Sequence, residues 1–219
     1  MSNGEVIFDY RDENHPHESW DQFLVRKLSE QKTPQAAIGD HLGGHLDKTH
    51  MDRGAFLYLK EKYDVESFVD VGCGTGGMVN YALGRGCRSI GIDGDHEVEK
   101  EGPVMIYDFT KGPIDVPMTF DLGWSVEFVE HIEEKYMDNW MSIFKQCKYV
   151  LITYAPPGWP GHHHVNCQDQ DYWVEKFSKY GLSFNEAETA SVRANSNMRK
   201  PFMQSRGLFF NNDNNEVDV

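Results

Sequence analysis

The feature that most constrains this chain is the run Ser67-Phe68-Val69-Asp70-Val71-Gly72-Cys73-Gly74-Thr75-Gly76-Gly77, an apolar stretch that ends in a glycine-rich turn. Glycines at the end of a buried strand let the backbone reverse tightly and approach a ligand closely. A helix starting near Gly77 then offers unpaired N–H groups to an anion. Strand, glycine turn and helix in that order form the opening of a parallel α/β unit, so the chain reads as an open α/β sheet.

The remaining sequence carries the same alternation. Short apolar runs predict strands over 67–72, 88–93, 104–108, 120–124, 148–154, 182–185 and 207–211. Helical spacing predicts helices near 77–85, 126–133, 135–146, 169–180 and 188–196. Upstream, Trp20, Phe23, Leu24 and Leu28 recur at helical spacing over 17–31, and Phe56, Leu57, Leu59 and Tyr63 do so over 51–63. Between them lies a connection rich in glycine and histidine. The expected division is an N-terminal arm and helical lid over 1–62 and an α/β domain over 63–219, together one compact unit. With 219 residues there is room for one sizeable core.

Charge and cysteine usage narrow the class. The net charge of −14, from 35 acidic against 21 basic residues, disfavours a non-specific nucleic-acid binder. A local basic segment, Arg193, Arg199, Lys200 and Arg206, is the exception. No stretch reaches the roughly 18 apolar residues a membrane helix needs. The start lacks a basic and then apolar secretory pattern. Cys73, Cys87, Cys147 and Cys167 form no CxxC pair and read as reduced packing residues, so a cytoplasmic location is expected.

Gly72, Gly74 and Gly77 satisfy GxGxxG, a pattern that nicotinamide enzymes share. Asp70 tilts the reading away from them. It precedes the first glycine at a strand end, where an unpaired buried carboxylate is costly. A cofactor bearing an ammonium group gives it a partner. Asp93 closes the second strand, where a carboxylate accepts from two ribose hydroxyls of either cofactor class. Asp108 closes the third, in position to accept from an adenine amino group. Acids at three successive strand ends fit an adenosine laid across the carboxyl edge of an open sheet.

These residues resemble the class I S-adenosylmethionine-dependent methyltransferase family. The segment Phe120 to Ile132 is similar to that family's fourth motif, D-x-x-x-x-x-E-x-x-E-H, through Asp121, Glu127, Glu130 and His131. The likeness runs from about Tyr63 to Asn211 and leaves the N-terminal segment outside. It implies a Rossmann-like, doubly wound, seven-stranded and mostly parallel sheet with an antiparallel last strand. It further implies S-adenosyl-L-methionine held by Asp70, Gly72, Cys73, Gly74, Gly76, Asp93, Gly94, Asp108, Phe109 and Ser125.

Methyl transfer from a sulfonium needs alignment, and a base only where the acceptor loses a proton. Neither an Asn/Asp-Pro-Pro-aromatic motif nor a Pro-Cys nucleophile is present, which disfavours DNA-base methylation. On a helix, Glu127, Glu130 and His131 would share one face. After the fifth strand comes Pro156-Pro157-Gly158-Trp159-Pro160-Gly161-His162-His163-His164. Strand-end loops converge, so Glu127, Glu130, His131 and His162 form a candidate site for Mg, Mn or Zn. His131, Glu127 and His163 are the candidate catalytic groups. This arrangement is similar to that of ubiquinone-pathway O-methyltransferases and small-RNA 2′-O-methyltransferases, in which a metal activates a hydroxyl. The alternative is a metal-free Glu-His pair that packs against the loop. His41, His45 and His50 belong to the expected lid, and Trp159 to the acceptor loop. Trp173, Phe177 and Tyr180 read as a buried helical stripe. The functional expectation is O-methylation of a small molecule or sugar. An RNA or protein methyltransferase and a non-catalytic cofactor-binding regulator are the alternatives. A nicotinamide oxidoreductase is disfavoured by Asp70 and by the fourth motif.

Overall fold

A computed structural model describes residues 22, 23, 26, 39–42, 49–114, 116 and 118–215. Most of the helix expected over 17–31, and His45 of the expected lid, lie outside these residues.

The chain builds a seven-stranded sheet from β1 (Ser67–Val71), β2 (Arg88–Asp93), β3 (Val104–Ile106), β4 (Phe120–Ser125), β5 (Cys147–Ile152), β6 (Leu182–Phe184) and β7 (Leu208–Asn212). Its order is β3-β2-β1-β4-β5-β7-β6. Strands β1 to β5 pair in parallel, while β7 runs antiparallel to both β5 and β6. The order reverses between β1 and β4, and the crevice at such a switch point is where open α/β sheets bind ligands. Register sets Asp70 of β1 beside Gly91 of β2 and Trp124 of β4, all at that edge.

Among the described residues the helices α1 (Arg53–Tyr63), α2 (Gly77–Leu83), α3 (Met137–Phe144), α4 (Gln170–Ser178), α5 (Glu186–Asn195) and α6 (Phe202–Arg206) flank the sheet. Because side chains alternate along a strand, each strand feeds two cores. Val150 and Phe210 join Trp140, Phe144, Trp173 and Phe177 on one face. Leu151 and Phe209 join Phe56, Leu59, Phe68 and Trp124 on the other. Trp173 and Phe177 thus form the buried stripe of α4, while Tyr180, expected to join them, lies beyond the helix end and is half-buried. Helix α1 buries Ala55, Phe56 and Leu59 completely, so this part of the N-terminal segment is core. Asp52 caps it, accepting from Ala55 N at 3.1 Å, and also accepts from Asn197 N at 3.0 Å beyond the end of α5.

One expected helix does not form. Residues 126–133 are bends and turns, and Glu127 has a left-handed φ of 55°. That conformation breaks a right-handed helix. It is held from outside, since Glu127 N donates to Thr153 Oγ1 at 2.8 Å. Regular helix resumes only at α3, after a 3-10 turn over Glu134–Tyr136. Strand β3 is also shorter than expected and leaves Asp108 in the following loop, where it caps a second 3-10 turn.

Candidate active site

A cavity of about 300 Å³ opens at the carboxyl ends of β1, β2 and β4. Its floor is the glycine turn. Gly72 has φ +75°, and a Cβ there would lie 2.4–2.7 Å from Phe128, so only glycine fits. Gly74 N donates to Asp93 Oδ2 at 2.8 Å, fastening the turn to the end of β2. Asp93 Oδ1 accepts from Asp95 N at 2.9 Å and faces Lys100 Nζ at 3.4 Å.

Asp70 is only 3% exposed yet lines the cavity, and no described residue donates a hydrogen bond to its carboxylate. Burial, then the nearby Asp93, holds its pKa well above the usual carboxylate range. Asp108 behaves oppositely. Burial works against its charge, but hydrogen bonding from Thr110 and the adjacent His41 lowers its pKa overall. Thr110 N lies 2.8 Å and His41 Nε2 3.3 Å from Asp108 Oδ1.

Of the residues expected at a cofactor, Asp70, Gly72, Cys73, Gly74, Asp93, Gly94, Asp108 and Phe109 line this one cavity. Gly76 and Ser125 do not. Gly76, with φ +88°, is the residue from which α2 starts. Ser125 is fully buried, its hydroxyl donating to Val71 O at 2.8 Å between β4 and β1. Sequence reasoning missed Leu42 and Thr49. Leu42 lies against Gly94, and Thr49 Oγ1 accepts from Gly77 N at 3.1 Å while donating to Cys73 O at 3.3 Å. Their only signal was membership of the segment read as a lid.

The opposite wall carries the Glu/His chemistry. Glu127 Oε1 accepts from Thr153 Oγ1 at 3.1 Å and lies 3.8 Å from Arg206 Nη2. Burial raises its pKa to about 7, with Arg206 and then Thr153 opposing the rise. Glu130 is fully buried, and neither carboxylate oxygen has a partner among the described residues. Burial, then Glu127, pushes its pKa well above normal. His131 Nδ1 is likewise buried and unpartnered. Burial, then His164, lowers its pKa to about 4, which leaves the imidazole neutral at physiological pH.

Glu130, His131 and His164 bring one ligand atom each to within 4.8 Å of one another. The sequence expectation named His162 in this position. The register of the histidine loop explains the change: the amides of Val165 and Asn166 both donate to the Glu130 carbonyl at 3.0 Å, which brings His164 against His131. His162 lines the cavity outside this cluster, and Glu127 is engaged with Thr153 and Arg206 instead. His163, expected to be catalytic, does not line the cavity. It has φ 46°, and its ring centroid lies 6.1 Å from that of His41. The basic segment also disperses. Arg193 Nε donates to Gly207 O at 2.9 Å and Arg206 is buried, so only Arg199 and Lys200 of the four are exposed. Among the described residues no helix is long and apolar enough to cross a membrane.

Comparison with known proteins bears on the domain and the fold. Residues 69–153 match the family model of a methyltransferase domain. A search of curated proteins finds no match. A sugar N-methyltransferase from a Streptoalloteichus species is 10% identical, with 82% of this chain and 97% of that chain covered at a TM-score of 0.56. A TehB-like S-adenosylmethionine-dependent methyltransferase from Corynebacterium glutamicum is 17% identical over 85% of this chain and 93% of its own, at 0.50. The methyltransferase domain of a bacterial Hen1 is 15% identical over 72% and 96%, also at 0.50. At such identities the structures share the fold. Residues 69–153 thus form a methyltransferase domain, and the β3-β2-β1-β4-β5-β7-β6 sheet gives this chain the fold of the class I S-adenosylmethionine-dependent methyltransferases.

Proposed function

We propose that the chain methylates a hydroxyl of a small-molecule or sugar acceptor, and that Glu130, His131 and His164 hold a divalent cation beside it. The observation that carries this reading is a set of buried ligand atoms without partners among the described residues, both Glu130 oxygens and His131 Nδ1, clustered with His164. Unpaired buried polar groups are costly unless a ligand satisfies them.

The cofactor half of the cavity fits S-adenosylmethionine, which when bound supplies an electrophilic methyl group on a sulfonium. The orphan Asp70 carboxylate suits its ammonium, Asp93 its ribose, and Asp108 with Phe109 its adenine. Thr49, Leu42 and His41 cover that half from the N-terminal segment.

On the acceptor half, a cation held by one carboxylate and two imidazoles supplies Lewis acidity that lowers a hydroxyl's pKa. A mixed N/O set of this kind suits Mn or Zn better than Mg. Glu127, poised near neutrality, is the proton acceptor within the cavity. Trp159, 43% exposed at the cavity wall, offers a face for a sugar or ring to stack on. The acidic surface and the inward-turned Arg193 and Arg206 favour a small acceptor over nucleic acid.

The test is a screen of hydroxyl acceptors with isotopically labelled S-adenosylmethionine, read by mass, with and without chelator. Label appearing on oxygen, lost on chelation and restored by Mn or Zn, supports the proposal. Label on nitrogen, or transfer indifferent to chelator, overturns it. In parallel, a thermal shift with NAD but none with S-adenosylhomocysteine would overturn the cofactor assignment.

A further inference from the structure

Directly behind the acceptor wall, packed on its lining residues Trp159 and Phe202, lies a buried cation with hydrogen-bonding capacity unused among the described residues. Arg206 on α6 is 6% exposed, and its Nε and Nη2 are buried without an acceptor among the described residues. The nearest carboxylate among the described residues, Glu127 Oε1, lies at 3.8 Å, beyond hydrogen-bond reach. The guanidinium carbon sits 4.3 Å from the ring centroid of Trp159 and 5.1 Å from that of Phe202. Both rings, like Glu127, line the cavity. A guanidinium held against aromatic faces keeps its N–H groups in its own plane, the geometry that binds a carboxylate or phosphate bidentately.

Two further cations lie near this end of the cavity, whereas its acids Asp70, Asp93 and Asp108 line the opposite, glycine-turn end. His50 lines the same cavity and packs edge-on against Phe202, at 4.9 Å. Its pKa is lowered first by burial and then by Lys200 and Arg199, which brings both exposed cations within electrostatic range of the cavity wall. Glu127 offsets Arg206 only in part, because burial holds its pKa near neutrality.

We infer that the acceptor is a small anion, carrying a carboxylate or phosphate that docks on Arg206 between Trp159 and Phe202 while its hydroxyl faces the Glu127, His131 and His164 wall. This deepens the proposed function and rests on it for the hydroxyl, but not for the anion. The inference makes Arg206 a specificity-determining residue.

The test uses the full chain with saturating S-adenosylhomocysteine and two pairs of probes, benzoate against benzamide and glucose 6-phosphate against glucose, measured by calorimetry. At least one anion is expected to bind saturably, tenfold or more tighter than its neutral partner. Preference for benzoate or for the sugar phosphate identifies the source of the charge. Arg206→Met, which keeps the stacking bulk, is expected to abolish the preference. Arg206→Lys, which keeps the charge but loses the fork, is expected to weaken it several-fold and covers the case in which Arg206→Met does not fold. Equal binding of charged and neutral probes, no binding of either anion, or an undiminished preference in both variants overturns the inference. So does a short single-stranded RNA that binds through Arg206 while both small anions fail. Loss of the S-adenosylhomocysteine signal in the wild type marks failure of the cofactor reading, separately from these outcomes.

Discussion

His164 packs its ring edge-on against His131, with centroids 4.8 Å apart and planes at 77°, although the two arrive on loops after different strands. Two imidazoles meeting beside a Glu130 carboxylate that is unpartnered among the described residues would form three ligands of the proposed cation. Mn²⁺ or Zn²⁺ at about a hundred times its dissociation constant is expected to add roughly 2.7 kcal/mol to stability. For a chain of this size that raises Tm by roughly 5–10 °C. Scanning calorimetry after chelator treatment checks it. His164→Ala should lose the shift and His162→Ala should keep it, and the reverse pattern would restore the assignment made from sequence.

The contrast between these histidines shows where sequence reasoning stops. Strands β1 and β2 were legible because Val69, Val71, Ile90 and Ile92 form nearly continuous apolar runs, as strands buried on both faces must. Asp70 and Asp93 were legible because acids closing such strands have few structural reasons to be there. Residues 126–133 were not legible. Their spacing suits a helix, but Thr153, from the loop after another strand, takes the Glu127 amide and fixes a left-handed residue. His164 was chosen over His162 by two amide bonds to the Glu130 carbonyl, a register that residue spacing does not encode. Arg206 read as surface charge because stacking on Trp159 and Phe202 is a tertiary event.

Asp70 exposes a conflict between stability and function. Its buried carboxylate lacks a donor among the described residues, so Asp70→Asn should raise the Tm of the ligand-free chain. The same substitution removes the anion proposed to meet the cofactor's ammonium. Loss of a charge-assisted partner costs about 1.5–3 kcal/mol, so affinity for S-adenosylhomocysteine should fall roughly 10- to 100-fold. Paired calorimetry and thermal melts check both signs. Unchanged affinity would remove Asp70 from the site.

Gly72 and Gly86 separate two costs of adding a methyl group. Both have positive φ, at +75° and +83°. At Gly86 nothing lies near an added Cβ, so Gly86→Ala should cost only the backbone strain, about 1–2 kcal/mol. At Gly72 the Cβ also meets Phe128, which must move within the cavity. Gly72→Ala should therefore cost more, by roughly another 1–3 kcal/mol, and should also weaken S-adenosylhomocysteine binding. Urea denaturation of both variants measures the difference, and equal losses would mean that Phe128 yields freely.

Glu127 gives a pH dependence whose sign follows from its surroundings. Burial raises its pKa from 4.5 to about 7 in the folded chain. Between those values the native state binds more protons than the unfolded state, so this contribution to stability is full below pH 4.5 and is lost as pH rises through 7. His131 acts in the opposite sense. Its pKa falls from 6.5 to about 4, so its contribution is present above pH 6.5 and is lost as pH drops through 4. In the wild type the two slopes offset each other between about pH 4.5 and 6.5, and Glu127 dominates above that. Glu127→Gln removes one of them. It should match the wild type near pH 4 and exceed it at pH 8 by at most about 3 kcal/mol. The gain is reduced by the loss of a negative partner for Arg206. The same variant should lower kcat, because the acceptor wall loses the proposed proton acceptor. Denaturant titrations at pH 4, 6 and 8 measure the difference. A constant offset across pH would mean that Glu127 keeps an ordinary carboxylate pKa despite its burial, and would disqualify it as a base poised near neutrality.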